Sequence, residues 1–230
     1  MVTTEMRELQ DKLGYVFKDI SLLEHALIHS SYANERQLGH NGSNERLEFL
    51  GDAVLELVSS EYLYSAFPDK PEGEMTKIRA AAVCEPALAA CAEQIGLSRY
   101  ILLGRGENST GGRKRPSIIS DALEAVIGAV YIDGGYESAK ELVMRHILND
   151  VEDKRFFYDG KTALQEYTQK LYGCSPVYEI TGESGPDHDK SYTVEVTVDG
   201  KLLGTGTASS KKRAAQSAAY EALRSLHRVN

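Results

Sequence analysis

The 230-residue sequence lacks the features that mark secreted and membrane proteins. It has only three cysteines, Cys84, Cys91 and Cys174. Their odd number and their spacing argue against a disulfide-stapled scaffold and favour a reducing compartment. No stretch approaches ~18 uncharged apolar residues, and the N-terminal segment has acids where a signal peptide needs cations. We therefore expect a cytoplasmic protein that does not associate with membranes.

The net charge is −8, which would argue against a nucleic-acid partner if it were evenly spread, because phosphate binding depends on Lys and Arg. The charge is divided, however. Residues 1–153 hold 15 Lys and Arg against 25 Asp and Glu, whereas residues 154–230 hold 11 against 9. Opposite charge in two regions predicts two domains with different tasks.

The first region has a helical pattern throughout. Leu47, Leu50, Val54, Leu57 and Val58 repeat at helical spacing, and strand-like alternation is absent. Residues 103–116 contain four glycines and a proline, which predicts an exposed loop. The segment Ile118–Ile132 then predicts a strongly apolar helix that Gly134 and Gly135 end. We expect an all-α domain over residues 1–151.

The second region changes period after a charged, turn-rich passage over residues 152–159, which we interpret as a linker. A small α+β domain of the order α-β-β-β-α is predicted over residues 160–228. Its elements are a helix around Leu164 that Gly173 ends, strands at Val177–Thr181, Tyr192–Val198 and Lys201–Ala208, and a helix over Lys211–Leu226. The Asp199-Gly200 pair between the last two strands is a hairpin turn signal.

Three acids of the first region form one stripe. Glu45, Glu48 and Asp52 stand at i, i+3 and i+7, which places them within about 60° of one another on a helix. A solvated acidic face is the alternative interpretation. It is weakened by Phe49 and Leu55, apolar residues that flank the acids.

Asp121 and Glu124 are the only charged residues between Ile118 and Ile132. A helix this apolar must be largely buried, and a buried carboxylate is costly unless it is neutralised, paired or bound to a metal. Asp121 alone could be an N-terminal helix acid capped by Ser117 or Ser120, but this alternative does not explain Glu124.

If the two helices face each other, Glu48 and Asp52 converge with Asp121 and Glu124. Four carboxylates without His or Cys suit Mg²⁺ or Mn²⁺ and disfavour zinc. Such a centre is suited to phosphodiester hydrolysis. We expect no organic cofactor, and we interpret His25, His29, Cys84 and Cys91 as packing residues because no nucleophile and base are placed together.

Four segments carry a family resemblance: NERLEFLGDAVLE at 44–56, LGYVFKDISLLEHALIHSSYANE at 13–35, PEGEMTKIRAAAV at 71–83 and SIISDALEAVIGAVYIDGG at 117–135. They resemble bacterial ribonuclease III. The resemblance implies that the metal centre consists of Glu48, Asp52, Asp121 and Glu124, with Asp52 and Glu124 as its essential catalytic pair. It also implies that Glu45 and Glu72 are further acids lining the cleavage cleft.

The same resemblance implies a Mg²⁺-dependent endoribonuclease that acts on double-stranded RNA as a homodimer. Each subunit would cut one strand, leaving staggered 5′-phosphate and 3′-hydroxyl ends, in the processing of structured RNA precursors. A dimer would also explain Phe49 and Leu50 beside the acids, as interface residues. Two alternatives remain open: a non-catalytic duplex-RNA binder, and a structural helical protein with an acidic patch.

A basic turn opens the last helix of the second region. Lys211, Lys212 and Arg213 oppose the helix dipole there, so they need an external anion such as phosphate, unless they form a solubilising surface turn.

The order of elements resembles a double-stranded RNA-binding domain, which reads the shape of the duplex. The resemblance implies RNA contacts by Gln165, Glu166, His188, Lys211 and Lys212. Ala215 replaces a lysine that many members carry, which predicts weaker binding and a shallower salt dependence. The loop with Arg113, Lys114 and Arg115 could approach RNA, act as a flap, or be solvated.

Overall fold

The computed structural model describes residues 3–149, 151–185 and 190–228. Contacts along the chain divide it into two compact units, residues 1–151 and residues 152–230. We call the first the helical unit and the second the α/β unit. Within the described residues, no helix is both long and apolar enough to cross a membrane.

The helical unit contains eight α-helices among its described residues. They are α1 Thr4–Leu13, α2 Ile20–Ala26, α3 Ser30–Glu35, α4 Glu45–Ala66, α5 Glu72–Val83, α6 Glu85–Ile95, α7 Arg105–Ser109 and α8 Pro116–His146. Two short 3₁₀ helices lie at Leu97–Arg99 and Gly112–Lys114. The all-α prediction for this region is confirmed.

Helix α8 is the centre of the helical unit. Its residues Ala122, Leu123, Val126, Ala129 and Val130 are completely buried, because neighbouring helices cover it on most sides. The helix that was predicted to end after Ile132 is interrupted there and then continues. Gly135 adopts φ 81° and ψ −175°, which breaks the helical path before it resumes to His146. Glycine reaches this positive φ without steric strain.

The segment 103–116 is more ordered than the predicted open loop. It contains α7 and one 3₁₀ helix, and its arginines bind within it or near it. Arg113 donates to the Ser98 carbonyl at 2.5 Å, and Arg115 forms an ion pair with Glu107 at 2.6 Å. These contacts neutralise or occupy two of the three cations, so glycine content alone overestimated the openness of the segment.

The α/β unit has the predicted order of elements. They are α9 Val151–Tyr172, β1 Val177–Ser184, β2 Ser191–Val198, β3 Lys201–Ala208 and α10 Lys211–Arg228. The strands form one antiparallel sheet in the order β1-β2-β3, and the β2-β3 hairpin turns at Asp199 and Gly200, both with positive φ. The core contains the alanine stripe of α10, with Ala214, Ala218 and Ala222 fully buried.

The turn-rich structure expected over residues 152–159 is wrong, because α9 continues through that segment. The sequence from Val151 to Tyr172 has no proline and a single glycine, Gly160, so nothing in it stops a helix. The charged residues of this segment suggested a linker, but charged residues are compatible with helix.

Candidate metal centre and RNA-binding surface

Two glycines bring α4 and α8 into backbone contact. A Cβ atom added to Gly51 of α4 would lie 1.8 Å from the Glu124 carbonyl oxygen, and one added to Gly128 of α8 would lie 2.2 Å from the Leu47 carbonyl oxygen. Real side-chain carbons do not come that close, so only glycine is compatible with this crossing. The crossing places the acidic residues of both helices side by side.

Three carboxylates meet at this crossing. Glu48 of α4 and Asp121 and Glu124 of α8 each offer an oxygen, and these oxygens lie within 4.8 Å of one another. All three side chains are half-buried. The sequence-based prediction that acids of the two helices converge therefore agrees with this geometry for Glu48, Asp121 and Glu124.

The cluster is electrostatically strained. Burial, followed by the charges of Asp52, Asp121 and Glu48, raises the pKa of Glu124 to about 7. Burial also raises the pKa of Glu48, with the charges of Asp121, Glu45 and Asp52 adding to it. The pKa of Asp121 is raised as well, mainly by burial. Carboxylates in this state gain stability from a bound cation.

The two remaining acids of the predicted stripe lie at the edge of the cluster. Asp52 is exposed and outside the group of three, yet its charge raises the pKa of both Glu124 and Glu48. Glu45 is exposed, and its Oε2 accepts a hydrogen bond from the Ser43 hydroxyl at 2.9 Å. A wholly solvated acidic face does not describe this stripe, because Glu48 is half-buried among other carboxylates.

The alternative interpretation of Asp121 as an acid in the first turn of the helix, stabilised by the helix dipole, is wrong. Helix α8 begins at Pro116, so Asp121 is more than one turn inside it, beyond the reach of N-terminal capping. The Ser120 hydroxyl lies 2.9 Å from the Ser117 carbonyl and, more weakly, 3.4 Å from Asp121 Oδ1, both as a donor. Asp121 therefore faces the carboxylates of Glu48 and Glu124 without the helix N-terminus as a partner.

Glu72 lies apart from this cluster. It is exposed at the start of α5, and its Oε1 accepts a hydrogen bond from Thr76 at 2.9 Å. It lines a groove of about 300 Å³ between α4 and α5 together with residues of both helices, Ser60, Leu63, Tyr64, Met75, Thr76 and Arg79. Arg79 is the cation of this groove and is paired with Glu56 at 3.0 Å.

Buried polar contacts fix the loop that leads into α4. Asn44 is 3% exposed. Its side-chain amide donates to the Ala26 carbonyl at 3.2 Å, and its backbone N–H donates to the Ile28 carbonyl at 2.8 Å. His25 Nε2 lies 2.8 Å from the Ser43 carbonyl and 3.1 Å from that of Asn41. Carbonyls only accept, so this nitrogen carries the proton.

Sequence reasoning missed these anchoring contacts. Asn44 stands just before α4, where it would be expected to cap the helix, but its side chain makes no capping bond. His25 was interpreted as a packing residue, whereas it holds the loop that orients Glu45. The one signal in the sequence was Asn44 itself, a polar residue that stands directly before a helix.

The predicted RNA contacts of the α/β unit lie on its exposed surface where the structure describes them. Gln165 and Glu166 are exposed on α9, and Lys211, Lys212 and Arg213 are exposed at the start of α10. His188 lies outside the described residues. Ala215 is 8% exposed and packs in the core of the unit, so this turn of α10 presents only its first three residues as cations.

The donor set at the α4-α8 crossing fits a hard divalent cation. It consists of carboxylate oxygens alone, which suit Mg²⁺ or Mn²⁺ better than zinc. A helical unit with such a centre, followed by an α-β-β-β-α unit with a basic helix start, defines a class of protein. This class is the metal-dependent nucleases that carry a double-stranded RNA-binding module.

Comparison with known families agrees with this class. Residues 19–151 match the family model "Ribonuclease-III-like", and residues 161–226 match the "Double-stranded RNA binding motif". The chain belongs to the ribonuclease III family, and it is an endoribonuclease of double-stranded RNA. Members of this family depend on divalent metal ions, consistent with the acidic cluster.

Two ribonucleases match over nearly the whole chain, and a solved nuclease domain matches over the helical unit. Ribonuclease 3 of Treponema denticola is 46% identical, with 96% of this chain and 91% of that protein covered. Ribonuclease 3 of Natranaerobius thermophilus is 48% identical, with 95% of each covered. The nuclease domain of ribonuclease III from Campylobacter jejuni superposes with a TM-score of 0.59 at 45% identity, covering 63% of this chain and 97% of that domain.

Proposed function

We propose that this endoribonuclease uses Mg²⁺ held by Glu48, Asp52, Asp121 and Glu124, and that Mn²⁺ can replace it. The observation that carries the proposal is the group of three carboxylates whose oxygens lie within 4.8 Å of one another. Their raised pKa values favour this assignment, because like charges held together this closely call for a cation. Asp52 is included in the proposed metal site because its charge raises the pKa of Glu124.

The acids divide into groups with different tasks in this proposal. Glu48 and Asp121 complete the coordination, while Asp52 and Glu124 hold the ion and orient the attacking water. A bound divalent ion supplies a Lewis acid that polarises the phosphate and promotes ionisation of water. Glu45 and Glu72 act as further acids lining the cleavage cleft, Glu45 from the rim of the cluster and Glu72 from the groove along α5.

Attack of water on phosphorus with departure of the 3′ oxygen leaves a 5′-phosphate and a 3′-hydroxyl. The substrates we propose are structured RNA precursors, including those of ribosomal RNA. Duplex recognition would use Gln165, Glu166, His188, Lys211 and Lys212, with Ala215 lowering the number of phosphate contacts and hence the salt dependence. The site of action would be the cytoplasm, an expectation that rests on the sequence.

We also propose a homodimer in which each subunit cuts one strand. Phe49 is 80% exposed on α4, next to the acids, and Ile132 of α8 is 52% exposed. Both line a mostly apolar groove of about 620 Å³, together with Leu22, His25, Glu45, Arg46, Leu47 and Leu50. Large apolar side chains beside a groove are typical of a protein interface. The Campylobacter jejuni nuclease domain has a region involved in dimer formation.

A cleavage assay on a plain, labelled RNA duplex tests the proposed activity. The purified chain should cut the duplex with Mg²⁺ and leave it intact in EDTA. Glu124→Gln should bind the duplex with normal affinity but fail to cut it. A Glu124→Gln variant that cuts normally would remove Glu124 from the mechanism, and intact RNA under every condition would favour the non-catalytic binder.

A further inference from the structure

Two lysines of the α/β unit lie over tyrosine rings. The Lys161 ammonium is 4.6 Å from the centre of the Tyr178 ring, and the Lys211 ammonium is 5.5 Å from the centre of the Tyr192 ring. Both distances are within the range in which an aromatic face attracts a cation. Both tyrosines pack against the core of the unit, so the rings are fixed platforms.

Three lysines of the helical unit also lie over aromatic rings, but they differ from Lys161 and Lys211 in one respect. Each of them also forms an ion pair, with N–O distances of 2.8, 3.5 and 2.7 Å for the pairs Lys12–Glu8, Lys70–Glu74 and Lys140–Glu61. Their charge is therefore already neutralised.

Lys161 and Lys211 have no such ion pair with any carboxylate of the described residues. Glu183, whose pKa the charge of Lys211 helps to lower, is itself paired with Lys190 at 2.8 Å. The ring holds each ammonium group without cancelling its charge. An ammonium has three donors, so N–H groups remain for an anion outside the protein.

Both lysines lie next to residues already assigned to RNA. Lys161 precedes Gln165 by four residues on α9, which places the two on one helix face. Lys211 opens α10 beside Lys212. The Lys161 backbone N–H donates to Gln216 Oε1 at 2.9 Å, and Gln216 is about 7.5 Å along α10 from Lys211.

We propose that Lys161 and Lys211 are paired phosphate contacts, with Lys161 a further RNA-binding residue and Tyr178 and Tyr192 the residues that position the two ammonium groups. The proposal rests on the proposed function, in which Lys211 contacts duplex RNA. Positioning matters because a free lysine loses much rotamer freedom when it binds phosphate, and a ring that restricts it beforehand lowers this cost.

The test measures binding of the full-length chain to a plain RNA duplex in EDTA, over a series of salt concentrations. Lys161→Met removes the charge but keeps the apolar stem over Tyr178. It should weaken binding and lower the salt slope by about 1, as loss of one phosphate contact does. Lys170→Met is the matched control. It lies nine residues further along α9, about 180° around the helix, and should bind normally.

The positioning role of the tyrosines is tested with Tyr192, by asking whether its effect on RNA binding depends on Lys211. Tyr192→Leu should weaken binding about 2- to 5-fold, whereas Tyr192→Phe, which keeps the ring, should not. The loss should disappear when Lys211→Met is already present, because the ring then has no cation to position. A purely structural role would give the same loss in both backgrounds. Thermal melts identify variants of the α/β unit that fail to fold.

The outcomes separate this proposal from the function on which it rests. Lys161→Met with wild-type affinity and salt slope would overturn the assignment of Lys161, even if Tyr192→Leu does not fold. A Tyr192→Leu loss that persists with Lys211→Met would overturn the positioning role. Normal binding by Lys211→Met would instead contradict the proposed RNA-binding surface of α10.

Discussion

Replacing Gly51 with alanine tests whether backbone contact between α4 and α8 builds the proposed metal centre. The added Cβ would lie 1.8 Å from the Glu124 carbonyl oxygen, whereas an ordinary contact is 3.4–4 Å. One helix must therefore move by about 1.5 Å, the same scale on which active-site displacement costs about 100-fold in rate. Overpacking of a core helix costs about 3 kcal/mol.

The expected result is a midpoint of thermal unfolding about 10 °C lower for the helical unit and at least a 100-fold loss of cleavage. Stabilisation by Mn²⁺ in the same melts should shrink, because Glu48 separates from Glu124. Gly73→Ala is the control: it lies in α5 with no heavy atom near the added carbon, so it should change neither property. Normal cleavage and Mn²⁺ stabilisation in Gly51→Ala would refute this reasoning.

Three further predictions each concern one side chain. Because burial and the neighbouring carboxylates raise the pKa of Glu124 to about 7, the metal-free protein should lose stability as pH rises from 4.5 to 8. Glu124 is only half-buried, so solvent screening limits its share to about 1–2 kcal/mol, and Glu124→Gln should show a smaller loss in urea unfolding. Tyr178→Phe should leave stability unchanged or raise it by about 1 kcal/mol, since the buried hydroxyl has no hydrogen-bond partner among the described residues; a clear drop in melting temperature would contradict this. Phe49→Asp should shift the mass measured by light scattering toward the 25.3 kDa of one chain, whereas an unchanged dimer would exclude Phe49 from the interface.

The clustering of acids from α4 and α8 could be predicted from the sequence, because charged residues are rare in an apolar helix. Asp121 and Glu124 interrupt a run that must be buried, and Glu48 stands on a stripe with helical spacing. The contact that brings the two helices together could not be predicted in this way. Gly51 and Gly128 have no side chains, so their role appears only when the distance between the backbones is known.

The local structures that the sequence did not predict correctly depend on tertiary contacts or on the absence of a helix stop. Segment 103–116 is glycine-rich, yet Arg113 and Arg115 order it through bonds to Ser98 and Glu107. Residues 152–159 are charged, which suggested a linker, but no proline interrupts α9 there. Strand alternation and the Asp199-Gly200 turn, in contrast, are local signals, and they predicted the sheet correctly.

Anomalous diffraction from crystals soaked in Mn²⁺ tests the central claim most directly. The account predicts a strong peak at the α4-α8 crossing, about 2.2 Å from oxygens of Glu48, Asp121 and Glu124, with Asp52 drawn toward it. No peak at that crossing, in crystals where duplex RNA is also bound, would contradict the assignment of these carboxylates as the metal centre.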